Sequence, residues 1–170
     1  EAQAAVMAAA DYSGPVYLRF GRLAAPVFNS PDYRFELGKG ITLREGTDLT
    51  IIATGILVYE ALMAAEALAG EGISARVINI HTIKPIDKEL VVKAARETGV
   101  IVTAEEHSVI GGLGAAVAEA IGEACPVPTV RVGVKDSFGH SGKGGDLLKE
   151  YGLCRENIAA EAKRALALKG

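Results

Sequence analysis

The feature that most constrains this chain is a rhythm that begins near residue 40. Short apolar runs alternate with segments whose apolar residues return at helical spacing. The runs are ITLREG (Ile41 to Gly46), DLTIIATG (Asp48 to Gly55), ARVINI (Ala75 to Ile80), VIVTAEE (Val100 to Glu106) and TVRVGV (Thr129 to Val134). Runs that are apolar throughout belong to strands buried on both faces, and strands alternating with helices pair in parallel through crossovers. Right-handed crossovers then place helices on both sides of the sheet. The expected fold is α/β, a three-layer α/β/α sandwich around a mostly parallel sheet of about five strands.

The intervening segments carry start and stop signals. ILVYEALMAAEALAGEG reads as a helix halted by Gly70 and Gly72. Asp87 is placed to cap KELVVKAARETG, which ends at Gly99. GAAVAEAIGEA, DLLKEYG and RENIAAEAKRALALK read as three further helices.

Before residue 40 the rhythm is absent. Residues 1–11 are alanine-rich and helical in propensity, and Ser13, Gly14 and Pro15 end that helix. PVYLRF (Pro15 to Phe20) reads as a short strand. From Gly21 to Lys39, Pro26, Asn29, Ser30, Pro31 and Gly38 interrupt every period, which is the composition of a linker. A domain boundary is expected there. Glu1 opens the chain inside a helical run, so these residues are expected to be the end of a longer polypeptide.

The 170 residues suffice for one domain plus a fragment of another. A net charge of −3 argues against a nucleic-acid partner. No apolar run approaches the roughly 18 residues of a membrane span, and no signal-peptide pattern is visible. Cys125 and Cys154 are isolated and give neither a disulfide framework nor a zinc spacing, which suits a reducing, cytoplasmic setting.

In such sheets ligands usually bind at the C-terminal ends of the strands. Four connections fall there: Gly55-Ile56, His81 to Asp87, Glu105 to Gly114, and Lys135 to Gly145. GGLGAA (Gly111 to Ala116) lacks the glycine offsets of a dinucleotide fingerprint, and GHSGKG (Gly139 to Gly144) lacks the spacing of a phosphate-binding P-loop. In the first, the glycines are expected to let a helix entrance approach a neighbouring backbone. Glu105, Glu106 and His107 are acid–base residue types side by side, although charged residues at a strand end are also commonly a solvated edge. His81, His107 and His140 show no metal-ligand pattern. Arg19 and Arg22 are either surface charges or forks that hold a phosphate. No nucleophile–base pair emerges.

Five segments in this order carry a resemblance: GPVYLRFGR, LREGTDLTIIATG, ARVINIHTIKPID, VIVTAEEHSVIGGLGAAVAEAI and VGVKDSFGHSGKGGDLLKEYGL. Together they resemble the C-terminal part of a transketolase, and are most similar to the type in which that part is a separate polypeptide. The resemblance implies that residues 1–23 end a pyrimidine-binding domain, 24–39 are linker, and 40–170 form the transketolase C-terminal domain. It implies a mixed sheet with ITLREG as the odd, antiparallel strand.

It also implies ketol transfer between sugar phosphates by thiamine diphosphate and a divalent metal, usually magnesium, in the complete enzyme. The family's catalytic, cofactor and metal residues lie upstream, so no cofactor is expected to bind these residues alone. An arginine near the end of the pyrimidine domain holds the substrate phosphate in the family, and Arg19 and Arg22 both stand at the matching place. The implied partners are the upstream part of the enzyme, in the same or a separate polypeptide, and a second copy in a homodimer. Related C-terminal domains occur in deoxyxylulose-phosphate synthase and in beta chains of 2-oxoacid dehydrogenases. A non-catalytic interaction module is the reading from a different class. KDSFGHSGKGGDLLKEYGL, from Lys135 to Leu153, is expected to be a connector into the closing helices.

Overall fold

The computed structural model describes residues 1–30 and 32–169. Pro31, one of the linker residues named above, and Gly170 lie outside them. A helix, α1 (Ala2–Asp11), comes first, and no regular element follows it among the described residues until β1 (Ile41–Arg44). The order then runs β2 (Leu49–Ala53), α2 (Leu57–Gly70), β3 (Ala75–Asn79), α3 (Lys88–Thr98), β4 (Ile101–Ser108), α4 (Leu113–Gly122), β5 (Thr129–Val134), α5 (Gly144–Glu150) and α6 (Arg155–Leu166).

The five strands form one sheet in the order β1-β3-β2-β4-β5. β2, β3, β4 and β5 are parallel neighbours, whereas β1 pairs antiparallel with β3 through Ile41 opposite Asn79. The mixed α/β sheet and its odd strand are therefore as expected. β2 is central, and all five of its residues are buried, which is why its sequence does not alternate.

Two apolar layers flank the sheet. Ile51, Leu57, Leu68, Val102, Val132 and Ile158 pack between it and α2 with α6. Ile52, Ile78, Ile80, Val91, Leu113 and Val117 pack between it and α3 with α4. Successive strand residues point to opposite faces, so Ile51 and Ile52 feed different layers.

Local signals act as the sequence suggests. The Asp87 carboxylate accepts from the Leu90 amide at 3.1 Å and from the Gly40 amide at 3.1 Å. One side chain thus caps α3 and holds the approach to β1. Gly99 ends α3 in the left-handed region at φ 70°, which glycine adopts without a Cβ penalty. No helix among the described residues is long and apolar enough to cross a membrane.

PVYLRF departs from expectation: residues 15–20 form no strand. A strand needs a neighbour to satisfy its backbone groups, and none is paired with these residues here. Tyr17 stays 88% exposed. The fourth strand, by contrast, runs to Ser108, beyond the expected VIVTAEE.

Candidate functional site at the C-terminal edge of the sheet

The N-terminal segment lies across the C-terminal edge of the sheet. Its contacts locate it without regular structure. A Cβ at Gly21 would lie 3.4 Å from Ile56 and 3.5 Å from the Glu106 carboxylate. One at Gly144 would lie 2.7 Å from Leu23, so Leu23 rests on the loop that follows β5. Residues 19–23 therefore pass from the end of β4 to the entrance of α5.

Arg19 and Arg22 ride on this segment, and both are exposed. Arg19 Nη2 donates to the Glu106 carbonyl at a long 3.5 Å. Neither arginine forms an ion pair with a described residue. Their guanidinium groups are available to an anion.

Glu105, Glu106 and His107 do not converge. Glu105 is 1% exposed, and its carboxylate accepts from the amides of Leu113 at 2.7 Å and Gly114 at 2.9 Å. It satisfies the first free N–H groups of α4 and matches the positive end of that helix. The fit is close: any Cβ at Gly112 would collide with the Glu105 carboxylate. The expected close approach to a backbone is met at the Ser108 carbonyl, but the tighter neighbour of Gly112 is the Glu105 side chain. Glu106 is half-buried beside Gly21, and His107 is exposed with Nδ1 3.1 Å from the Ser108 carbonyl.

A cluster at the end of β3 was not legible in the sequence. The Asn79 amide donates to the Glu1 carboxylate, and the Tyr33 hydroxyl donates to the same carboxylate oxygen at 3.1 Å. The His81 ring lies on Phe35 with centroids 4.1 Å apart, and its Nδ1 is 2.9 Å from the Thr82 hydroxyl. Burial lowers the His81 pKa from 6.5, against an upward pull from the Glu1 charge. Burial, then the Glu1 charge and hydrogen bond, raise the Tyr33 pKa well above its ordinary value. Asn79 Oδ1 and His81 Nε2 are buried and have no hydrogen-bond partner among the described residues. Partners 78 residues apart leave no local pattern to find.

The loop after β5 is braced from behind. His140 Nε2 lies 2.8 Å from the Glu150 carboxylate, and the Tyr151 hydroxyl donates to the Phe138 carbonyl at 3.0 Å. The Phe138 side chain itself is fully exposed. Of the large apolar residues left exposed among those described, all but Leu168 fall in two places. They lie before residue 28, or they are Ile83, Ile110 and Phe138 in the loops after β3, β4 and β5. Apolar surface concentrated on one side of a protein marks an interaction face.

No group of three or more His, Cys, Asp or Glu side chains is placed to hold a metal ion among the described residues. Both Glu105 oxygens accept amide protons at the helix entrance, and at 1% exposure the carboxylate faces no open site.

The family model described as "Transketolase, C-terminal domain" matches residues 38–158. A 6-deoxy-6-sulfo-D-fructose transketolase subunit of Clostridium sp. (strain MSTE9) is 54% identical over 151 residues, covering 89% of this chain and 47% of the relative. A 1-deoxy-D-xylulose-5-phosphate synthase of Heliobacterium modesticaldum is 39% identical over 168 residues, covering 96% of this chain and 26% of the relative. A solved structure titled "Split gene transketolase, inactive beta4 tetramer" superposes with a TM-score of 0.95 at 53% identity, covering 99% of this chain and 55% of the other. The chain spans about half the length, or less, of the curated relatives it matches. On its fold, its antiparallel odd strand and these matches, the chain belongs to the transketolase C-terminal domain family.

Proposed function

We propose that this chain is the C-terminal section of a thiamine-diphosphate-dependent transketolase that moves a two-carbon ketol unit between sugar phosphates. One observation carries this reading beyond family membership. The exposed apolar residues gather on α1, on the segment laid over the sheet edge and on the loops beneath it. That is the surface an upstream section would cover. Residues 1–23 are then the end of the pyrimidine-binding domain, 24–39 the linker, and 40–170 the C-terminal domain. The cofactor, when bound, supplies the carbanion chemistry from groups held upstream. This chain's residues position the upstream section, and Arg19 or Arg22 meets the substrate phosphate. Partners are the upstream section and a second copy of the complete enzyme.

Ketol transfer with thiamine diphosphate and magnesium tests the proposal. No activity is expected from the 170-residue chain, and activity is expected once upstream sequence is supplied, in one polypeptide or two. Activity of the chain alone overturns the assignment of the catalytic groups. A second reading rests on the 39% identity to a 1-deoxy-D-xylulose-5-phosphate synthase across nearly the whole chain. Formation of 1-deoxy-D-xylulose 5-phosphate by the restored enzyme, without ketol transfer, would select it.

A further inference from the structure

The outer edge of the sheet holds a different feature. β5 is a terminal strand, with no partner beyond β4 among the described residues. Edge strands expose unpaired backbone donors and acceptors. Beside this edge a cleft of about 290 Å³ opens between β5 and the end of α6. Three of the residues that line it are cationic: Arg131, Lys135 and Arg164. No carboxylate lines it, although the whole chain carries a net charge of −3. Glu161 offsets one of the three charges through a 2.6 Å contact with Arg164 Nε, leaving an excess of two.

The arginines are held in place. Arg131 Nη1 donates to the Val109 carbonyl at 2.9 Å, which uses one of the five donors of its fork. The stem of Arg131 lies against Gly114 at the start of α4, where a Cβ would come within 2.7 Å of it. An anchored guanidinium loses little freedom when an anion arrives. Thr129 adds a hydroxyl to the lining, and Val109 and Leu168 add apolar wall. Two excess positive charges, forked donors and an apolar wall match a dianionic oxyanion on a small carbon skeleton.

We propose that this cleft binds the phosphoryl group of a small phosphorylated molecule. The proposal is independent of the ketol-transfer reading, since none of its residues belongs to the segment that carries Arg19 and Arg22.

The test is a titration of the ¹⁵N-labelled chain with sodium phosphate, ribose 5-phosphate and ribose, with ionic strength held constant by sodium chloride. Amides of residues 129–135 and the side-chain Nε–H signals of Arg131 and Arg164 are expected to shift together and saturate with phosphate in the millimolar range. Tighter saturation by ribose 5-phosphate assigns the site to a phosphate ester. Equal saturation by both shows that the site reads the phosphoryl group and nothing of the sugar, whereas saturation by phosphate without ribose 5-phosphate binding overturns the proposal. The variant Lys135→Gln/Arg164→Gln changes two exposed side chains and is expected to bind about a hundredfold more weakly, so that saturation is no longer reached, as loss of two charge-assisted contacts implies. Linear, unsaturated shifts overturn the proposal. So does undiminished binding by the variant, saturation by ribose to the same degree, or saturation confined to residues 19–22.

Discussion

A carboxylate is tolerated at position 105, with 1% exposure, because both oxygens accept amide protons at the entrance of α4. Replacing it by glutamine puts an NH₂ group against one of those donors and removes the charge that faces the helix end. Glu105→Gln is expected to cost about 3 kcal/mol, in line with charged hydrogen bonds and buried groups left unpaired. Urea unfolding measures it, and a loss below about 0.5 kcal/mol, the range of neutral surface changes, contradicts the capping role. His140 illustrates the exposed case. Its hydrogen bond to Glu150, the Ser141 carbonyl and the Glu150 charge, in that order, raise its pKa above 6.5. The folded state therefore binds the proton more tightly than the unfolded chain. The stabilisation is full below pH 6.5 and is lost as pH rises through the folded value. A ¹H NMR titration should show the His140 midpoint falling toward 6.5 in Glu150→Gln, and an unchanged midpoint excludes the brace. His81 carries the opposite sign. Burial lowers its pKa, so its contribution is full above 6.5 and declines as pH falls below that value.

Helices α2 and α6 meet through an ion pair at each end: Lys163 Nζ lies 3.0 Å from the carboxylate of Glu71, which caps the end of α2, and the pair at the start of α2 also serves as a cap. Glu60, in the first turn of α2, accepts from the Arg155 amide at 2.9 Å, from Arg155 Nε at 3.0 Å and from Arg155 Nη2 at 2.9 Å. Arg155 also lies 5.8 Å above the Tyr59 ring. The bidentate geometry is better than most surface pairs, but the Arg155 side chain is 41% exposed and solvent screens it. A double-mutant cycle of Glu60→Ala and Arg155→Ala is expected to return a coupling of about 1 kcal/mol that shrinks with added salt. Additive losses would show that the Glu60–Arg155 pair adds nothing to the contact between the two helices. Those faces are substantial: Leu57, Ala61, Leu68, Ile158 and Ala162 are fully buried or nearly so.

At the scale of the whole molecule, the N-terminal segment decides what the sheet edge can do. It carries Arg19 and Arg22 from the end of β4 toward the entrance of α5 and leaves Tyr12, Tyr17 and Phe20 exposed. In the restored enzyme, Arg22→Ala or Arg19→Ala is expected to raise KM for phosphorylated sugars more than for unphosphorylated ones, with kcat little changed. A phosphate contact at one arginine contributes about 1.5–3 kcal/mol, so a rise of tenfold or more is expected for the one that meets the substrate. Equal effects on both substrate types would return the arginines to surface charges.

The sequence by itself determined the layers and most of the elements. A run such as LTIIA (Leu49 to Ala53), between turn signals and alternating with helical segments, fits a strand buried on both faces, and Asp87 and Gly99 mark the ends of α3 through chemistry that acts within a few residues. The five ordered segments were enough to carry the family. Tertiary structure alone decided the rest, because it depends on partners distant in sequence. PVYLRF has strand composition but no strand beside it, so it stays irregular. Glu105, Glu106 and His107 are neighbours in sequence yet diverge in space, since successive strand residues face opposite ways and α4 claims the first of them. Arg131, Lys135 and Arg164 show no pattern along the chain, and only the packing of α6 beside the edge strand brings them to one cleft.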